Sequence, residues 1–148
     1  MFVDADFAGL YRSDPDFEPS SAKSRMGYLI KFAGCPLLVK SCLISSICLS
    51  TAESEYYALS QCLRSLMPIK ELLKELIMNL NVPKTFRVEP GHSIKTTVHE
   101  DNTSALTLAN GQKITNRTRH YQVRWHFFWS ILNDPSNNLT ICFHPMVR

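Results

Sequence analysis

One long amphipathic helix with a clearly marked start constrains this chain more than any other feature. Ser50-Thr51-Ala52-Glu53 follows the S-x-x-E pattern of a capping box, whose two side chains satisfy amide groups that the first helical turn leaves unbonded. Leu59, Leu63, Leu66, Leu73, Leu76 and Leu80 then recur at helical spacing and form an apolar stripe that another layer must cover. Pro68 interrupts the stripe and is expected to kink or split the helix, because it lacks an amide hydrogen and its ring crowds the preceding turn.

The layer to cover that stripe is a sheet. Phe2 to Phe7 is aromatic and β-branched enough for a first strand. Met26 to Phe32 alternates, with Tyr28, Ile30 and Phe32 on one face and Leu29 and Lys31 on the other. Gly34-Cys35-Pro36 reads as a turn into a third strand, Leu37 to Ser41. Beyond the long helix, Lys95 to Glu100 reads as a strand and Thr103 to Ala109 as a short helix closed by Asn110-Gly111. Tyr121 to Leu132 reads as a second long helix stopped by Asp134-Pro135, and Leu139 to Phe143 as a last strand. The order β-β-β-α-β-α-α-β predicts an α/β domain with a mixed sheet and helices on its faces. The 148 residues suit a single domain spanning 1–148, long enough to bury a core.

No stretch has the apolar length of a membrane span, and Met1-Phe2-Val3-Asp4 does not begin like a secretion signal, so the expected location is intracellular. The five cysteines lack CxxC spacing and read as small buried hydrophobes in a reducing compartment. Asn102, Asn116 and Asn138 each begin an N-x-S/T triplet; these are chance matches or serve local structure. The net charge of +3 does not by itself point to a nucleic acid, but its distribution is uneven. Asp4, Asp6, Asp14, Asp16 and Glu18 make the start acidic, whereas Lys113, Arg117, Arg119, His120, Arg124 and His126 form a basic stretch. A basic face beside an acidic pocket suits a metal-dependent nuclease: one binds phosphates, the other the metal.

Three acidic positions have both bland and chemical readings. Asp4 and Asp6 share one face of a strand, either because that strand runs out into solvent or because they bind something. The helix dipole favours both Glu53 and Glu55, but Glu53 already serves the capping box, and Glu55 stands four residues before Leu59, over the core-facing stripe. Glu100-Asp101-Asn102 ends a strand and opens a helix, where either Asp101 or Asn102 can act as N-cap. Such strand ends are also where α/β sheets bind ligands. Converging carboxylates repel unless cations neutralise them, and hard oxygen donors suit Mg²⁺ or Mn²⁺. Two such ions about 4 Å apart activate water and stabilise the leaving oxygen of a phosphodiester. His120 and His126 lack the spacing for a shared zinc on one helix face; Trp125, Phe127, Phe128 and Trp129 could stack on bases but at helical spacing read as core and interface.

Four segments carry a resemblance. Asp4-Ala5-Asp6-Phe7-Ala8-Gly9 resembles the DADWAG opening of the ribonuclease H domain of copia-type LTR retrotransposon polyproteins. Leu49 to Leu59 resembles its LSTxEAEYxAL helix start, and Glu100 to Leu106 its CDNxSAI segment. Arg117-Thr118-Arg119-His120, with Arg124-Trp125-His126-Phe127, resembles its RTKHIDIxYHF run. The motifs stand in the family's order and at about its spacing.

The resemblance implies an RNase H-like five-stranded sheet, an antiparallel meander of three strands plus two parallel ones, with helices on both faces. It implies hydrolysis of the RNA strand of RNA–DNA hybrids, with two Mg²⁺ ions, replaceable by Mn²⁺, held by Asp4, Glu55 and Asp101 as metal ligands and catalytic carboxylates. Asp6 is a candidate additional acid. Arg117, Arg119, His120, Arg124 and Asn102 are implied at the nucleic acid. The implied partners are the hybrid and the reverse transcriptase domain of the same polyprotein, with no membrane, in a cytoplasmic virus-like particle or the nucleus. Two departures stand against this. Cys42 and Ile44 replace a Lys and a Gln of the family's W-x-SKxQ stretch. The chain also ends at His144-Pro145-Met146-Val147-Arg148, about where the family's last catalytic Asp segment and final helix would begin, so no residue takes the fourth acid's role. Weak or absent activity is therefore expected, and the competing reading is an inactive remnant that binds nucleic acid or serves as a scaffold.

Overall fold

The computed structural model describes residues 1–11, 18–80, 94–109 and 122–144. The strands are β1 (Phe2–Asp6), β2 (Arg25–Phe32), β3 (Cys35–Leu43), β4 (Thr96–Glu100) and β5 (Leu139–Phe143). The helices are α1 (Thr51–Asn79), α2 (Thr103–Ala109) and α3 (Gln122–Asn133), with a short 3-10 turn at Pro135–Asn137. The strands form one sheet in the order β3-β2-β1-β4-β5. β1 to β3 are antiparallel neighbours, and β4 and β5 run parallel to β1.

Alternation sorts each strand's side chains. In β1, Val3 and Ala5 are buried and Phe2, Asp4 and Asp6 are exposed. In β2, Met26, Tyr28 and Ile30 are buried, and in β4 so are Val98 and Glu100. The β2–β3 turn comes one residue earlier than expected: Ala33 and Gly34 both take positive φ (49° and 85°), the pairing a tight two-residue hairpin requires. Cys35 and Pro36 already belong to β3, an edge strand, where a proline's missing amide breaks no ladder.

Helix α1 opens on the capping box, with its glutamate reaching one residue further back than the pattern predicts. The Ser50 hydroxyl accepts from the Glu53 amide at 3.2 Å, and the Glu53 carboxylate reaches back to accept from the Leu49 amide at 2.7 Å. Ser50→Ala is expected to cost about 1 kcal/mol, a melting temperature lower by roughly 2–4 °C in thermal unfolding. Pro68 does not split α1. It sits on the exposed face, where water can satisfy the carbonyl its ring frees, and the helix runs unbroken from Thr51 to Asn79, 29 residues in all. Such a helix is about 43 Å long, far longer than the strands it covers. Leu59, Leu63 and Leu66 are therefore buried while Leu76 and Leu80 project beyond the sheet and stay exposed, contrary to the full stripe expected.

All three helices face one continuous core. Phe128 of α3 is fully buried against Tyr56 of α1, with ring centroids 5.3 Å apart. Ile131 and Leu132 pack against the same cluster, as do Leu139 and Ile141 of β5. Phe127 and Trp129 are partly exposed, so among the described side chains of that run only Phe128 is core. Buried Lys70 of α1 donates to the Asn137 carbonyl, tying the helix to the turn before β5. On the outward face of the sheet, Phe2 and Val39, in register through Leu29, stay exposed. Of the five cysteines, all free, only Cys48 and Cys62 are buried, so the reading of them as core holds for those two alone.

Candidate metal centre

The site lies at the C-terminal ends of β1 and β4. Phe2 pairs in parallel with His99, so two residues further on Asp4 runs alongside Asp101. Glu55 arrives from the first turns of α1, which packs across β1. One carboxylate oxygen from each of Asp4, Glu55 and Asp101 lies within 4.8 Å of the other two. These residues, with Asp6, Thr51 and Asn102, line a cleft of about 460 Å³.

Each acid reaches the cleft for a local reason. Glu53 is held by the cap, which leaves the next acid of the helix, Glu55, to face the sheet end. The N-cap role left open between Asp101 and Asn102 falls to Asn102: its Oδ1 accepts from the Ser104 and Ala105 amides at 2.9 and 3.1 Å. Asp101 is thereby released to the centre. Asp6 lines the cleft but stands outside the close group, its carboxylate folded over Gly9. A Cβ on that glycine would come within 2.0 Å of it, so the turn after β1 needs glycine there unless Asp6 moves. Of the glycosylation-like triplets, Asn102 caps α2 and Asn138 takes a left-handed conformation (φ 44°) closing the 3-10 turn, so both serve local structure. Asn116 lies outside the described residues.

The electrostatics are unfavourable without a cation. Glu55 is only 4% exposed, and burial pushes its carboxyl up to about 9, helped by the charges of Glu100, Asp4 and Asp101; a hydrogen bond from the Ala5 amide works the other way. Glu55 Oε2 is buried with no hydrogen-bond partner. An all-carboxylate donor set with an orphaned buried oxygen fits a hard divalent cation such as Mg²⁺ or Mn²⁺.

Sequence reasoning gave Glu100 no role. It is 1% exposed, and burial followed by the neighbouring acids pushes it up to about 8 against the pull of the Asn102 amide. The available signal was the alternation of β4, which puts Glu100 on the same inward face as Val98. The basic residues are not placed: Arg117, Arg119 and His120 lie outside the described residues, as does the side chain of Arg124. His99 is an ordinary strand residue stacked on Phe2, with ring centroids 4.6 Å apart.

A sheet of this order, with a three-strand antiparallel meander, two parallel strands and α1 across β1, is an RNase H-like fold. The chain shares it with LC11-RNase H1, isolated from compost by a metagenomic approach (TM-score 0.59, 16% identity, covering 97% of this chain and 81% of that one). In sequence it is 29% identical over 135 residues to the retrovirus-related Pol polyprotein from transposon TNT 1-94 of Nicotiana tabacum. That match takes in 91% of this chain but only 9% of the polyprotein. No family model matches the chain. Among the described residues, no helix is long and apolar enough to cross a membrane.

Proposed function

We propose that this chain is a ribonuclease H domain of a copia-type retrotransposon polyprotein, hydrolysing the RNA strand of RNA–DNA hybrids at a two-cation centre. The reading rests on one observation above others: carboxylates at positions 4, 55 and 101 meet within 4.8 Å at the strand ends of an RNase H-like sheet. Asp4, Glu55 and Asp101 would hold Mg²⁺ or Mn²⁺. When bound, such ions make water a nucleophile near neutral pH and offset charge on a phosphodiester.

The chain's own groups divide the remaining work. Asp4 and Asp101 offer oxygens at the open cleft, while Glu55, buried and held by the Ala5 amide, anchors the centre from below. Asn102 spends its Oδ1 on the α2 cap, which leaves its Nδ2 to donate to a sugar or phosphate oxygen of the substrate. Arg117, Arg119, His120 and Arg124 would contact the hybrid backbone. Selection of the hybrid would come from groove shape and 2′-hydroxyl contacts rather than base sequence. In the cell, the domain would work beside the reverse transcriptase of the same polyprotein, in a cytoplasmic virus-like particle or the nucleus.

The test is a cleavage assay with an RNA–DNA hybrid labelled on the RNA strand, in Mg²⁺ and in Mn²⁺. Fragments from the hybrid, with single-stranded RNA and duplex RNA left intact, are expected. Binding of the hybrid without cleavage under either ion would replace this reading with a non-catalytic nucleic-acid-binding domain.

A further inference from the structure

Glu100 is the one acid of this region that neither the cleft nor a cap fully accounts for. Its Oε1 accepts from the amide of Asn102, a residue that lines the cleft, at 3.2 Å. Its Oε2 is buried with no hydrogen-bond partner, on a residue that is 1% exposed. Of the charges acting on Glu55, that of Glu100 weighs most, ahead of Asp4 and Asp101. A purely structural role does not need this acid. A glutamine would accept the Asn102 amide equally well, without setting a fourth negative charge among three others in a poorly solvated place.

We propose that Glu100 is an outer carboxylate of the divalent-cation centre, adding a buried negative charge next to the three acids that line the cleft. The proposal rests on reading Asp4, Glu55 and Asp101 as that centre. Glu100 lies outside the group whose oxygens meet within 4.8 Å, so it acts as a positioning residue, raising affinity for the cation rather than touching substrate. Polar groups around metal ligands commonly act this way, and their loss weakens binding by about 10- to 100-fold.

The experiment is a Mn²⁺ titration of the full chain, followed by the electron paramagnetic resonance signal of free Mn²⁺, on the wild type, Glu100→Gln, Glu100→Asp and Asp101→Asn. Glu100→Gln is expected to raise the Mn²⁺ Kd about tenfold, and Glu100→Asp, which keeps the charge, to recover much of that loss. The melting-temperature rise caused by Mn²⁺ is expected to shrink in the same order. If Glu100→Gln binds as tightly as the wild type while Asp101→Asn loses binding, the role of Glu100 is overturned and the three-acid centre stands. If Asp101→Asn binds Mn²⁺ like the wild type, or the wild type binds none, the centre itself fails and Glu100 falls with it.

Discussion

Glu55→Gln is expected to abolish the weak hybrid cleavage of this chain while raising the melting temperature of the cation-free protein at pH 8.5. A metal-stabilised reaction draws several kcal/mol of charge stabilisation from its ions, and each 1.36 kcal/mol is a factor of about ten in rate. Removing a buried anchoring carboxylate forfeits much of this. The rise in stability has the same origin. Without a cation, the Glu55 carboxylate is 4% exposed, faces three other acids and has an unpartnered oxygen, so its ionised form strains the fold. Glutamine keeps the shape and the acceptor for the Ala5 amide without the charge. Cleavage kinetics and thermal unfolding on one preparation decide the matter: a variant that keeps wild-type cleavage removes Glu55 from the chemistry. One that loses cleavage and also melts lower points to a structural role.

Between pH 6 and pH 9 the cation-free protein is expected to lose stability, its melting temperature falling by roughly 5 °C or more. Glu55 and Glu100 are held up to about 9 and about 8, against an ordinary glutamate value of 4.5. The folded state therefore binds their protons more tightly than the unfolded chain does. That contribution is present in full below about 4.5 and is lost as pH climbs through the folded values. Saturating Mn²⁺ at pH 8.5 is expected to restore most of the loss, because the ion takes over the role of the protons. The double variant Glu55→Gln, Glu100→Gln is expected to show neither the slope nor the restoration. A flat melting profile in the cation-free wild type would show that these carboxyls ionise freely, and would remove the electrostatic reason for a cation.

Much of this architecture was legible in the residues themselves. Alternation in β1 and β2, helical spacing in the first half of α1 and the S-x-x-E start each report a hydrogen-bonding pattern that closes within a few residues. The capping box also separates Glu53 from Glu55, since one side chain cannot both tie the helix start and serve the cleft. Pro68 did not split α1, because it faces water, which can satisfy the carbonyl its ring frees. Leu76 and Leu80 misled because the stripe gives a helix face but not how far the covering sheet extends. The metal-ligand assignment rested on the motif resemblance, since no spacing rule links positions 4, 55 and 101.

The sequence by itself determined the elements, their order and the acids worth watching, because secondary structure and caps arise from neighbours along the chain. Only the tertiary structure decided that β1 and β4 lie side by side and parallel, and that α1 brings Glu55 over their ends. Those proximities join residues dozens of positions apart. They follow from which apolar faces pack together, and no local pattern encodes that choice.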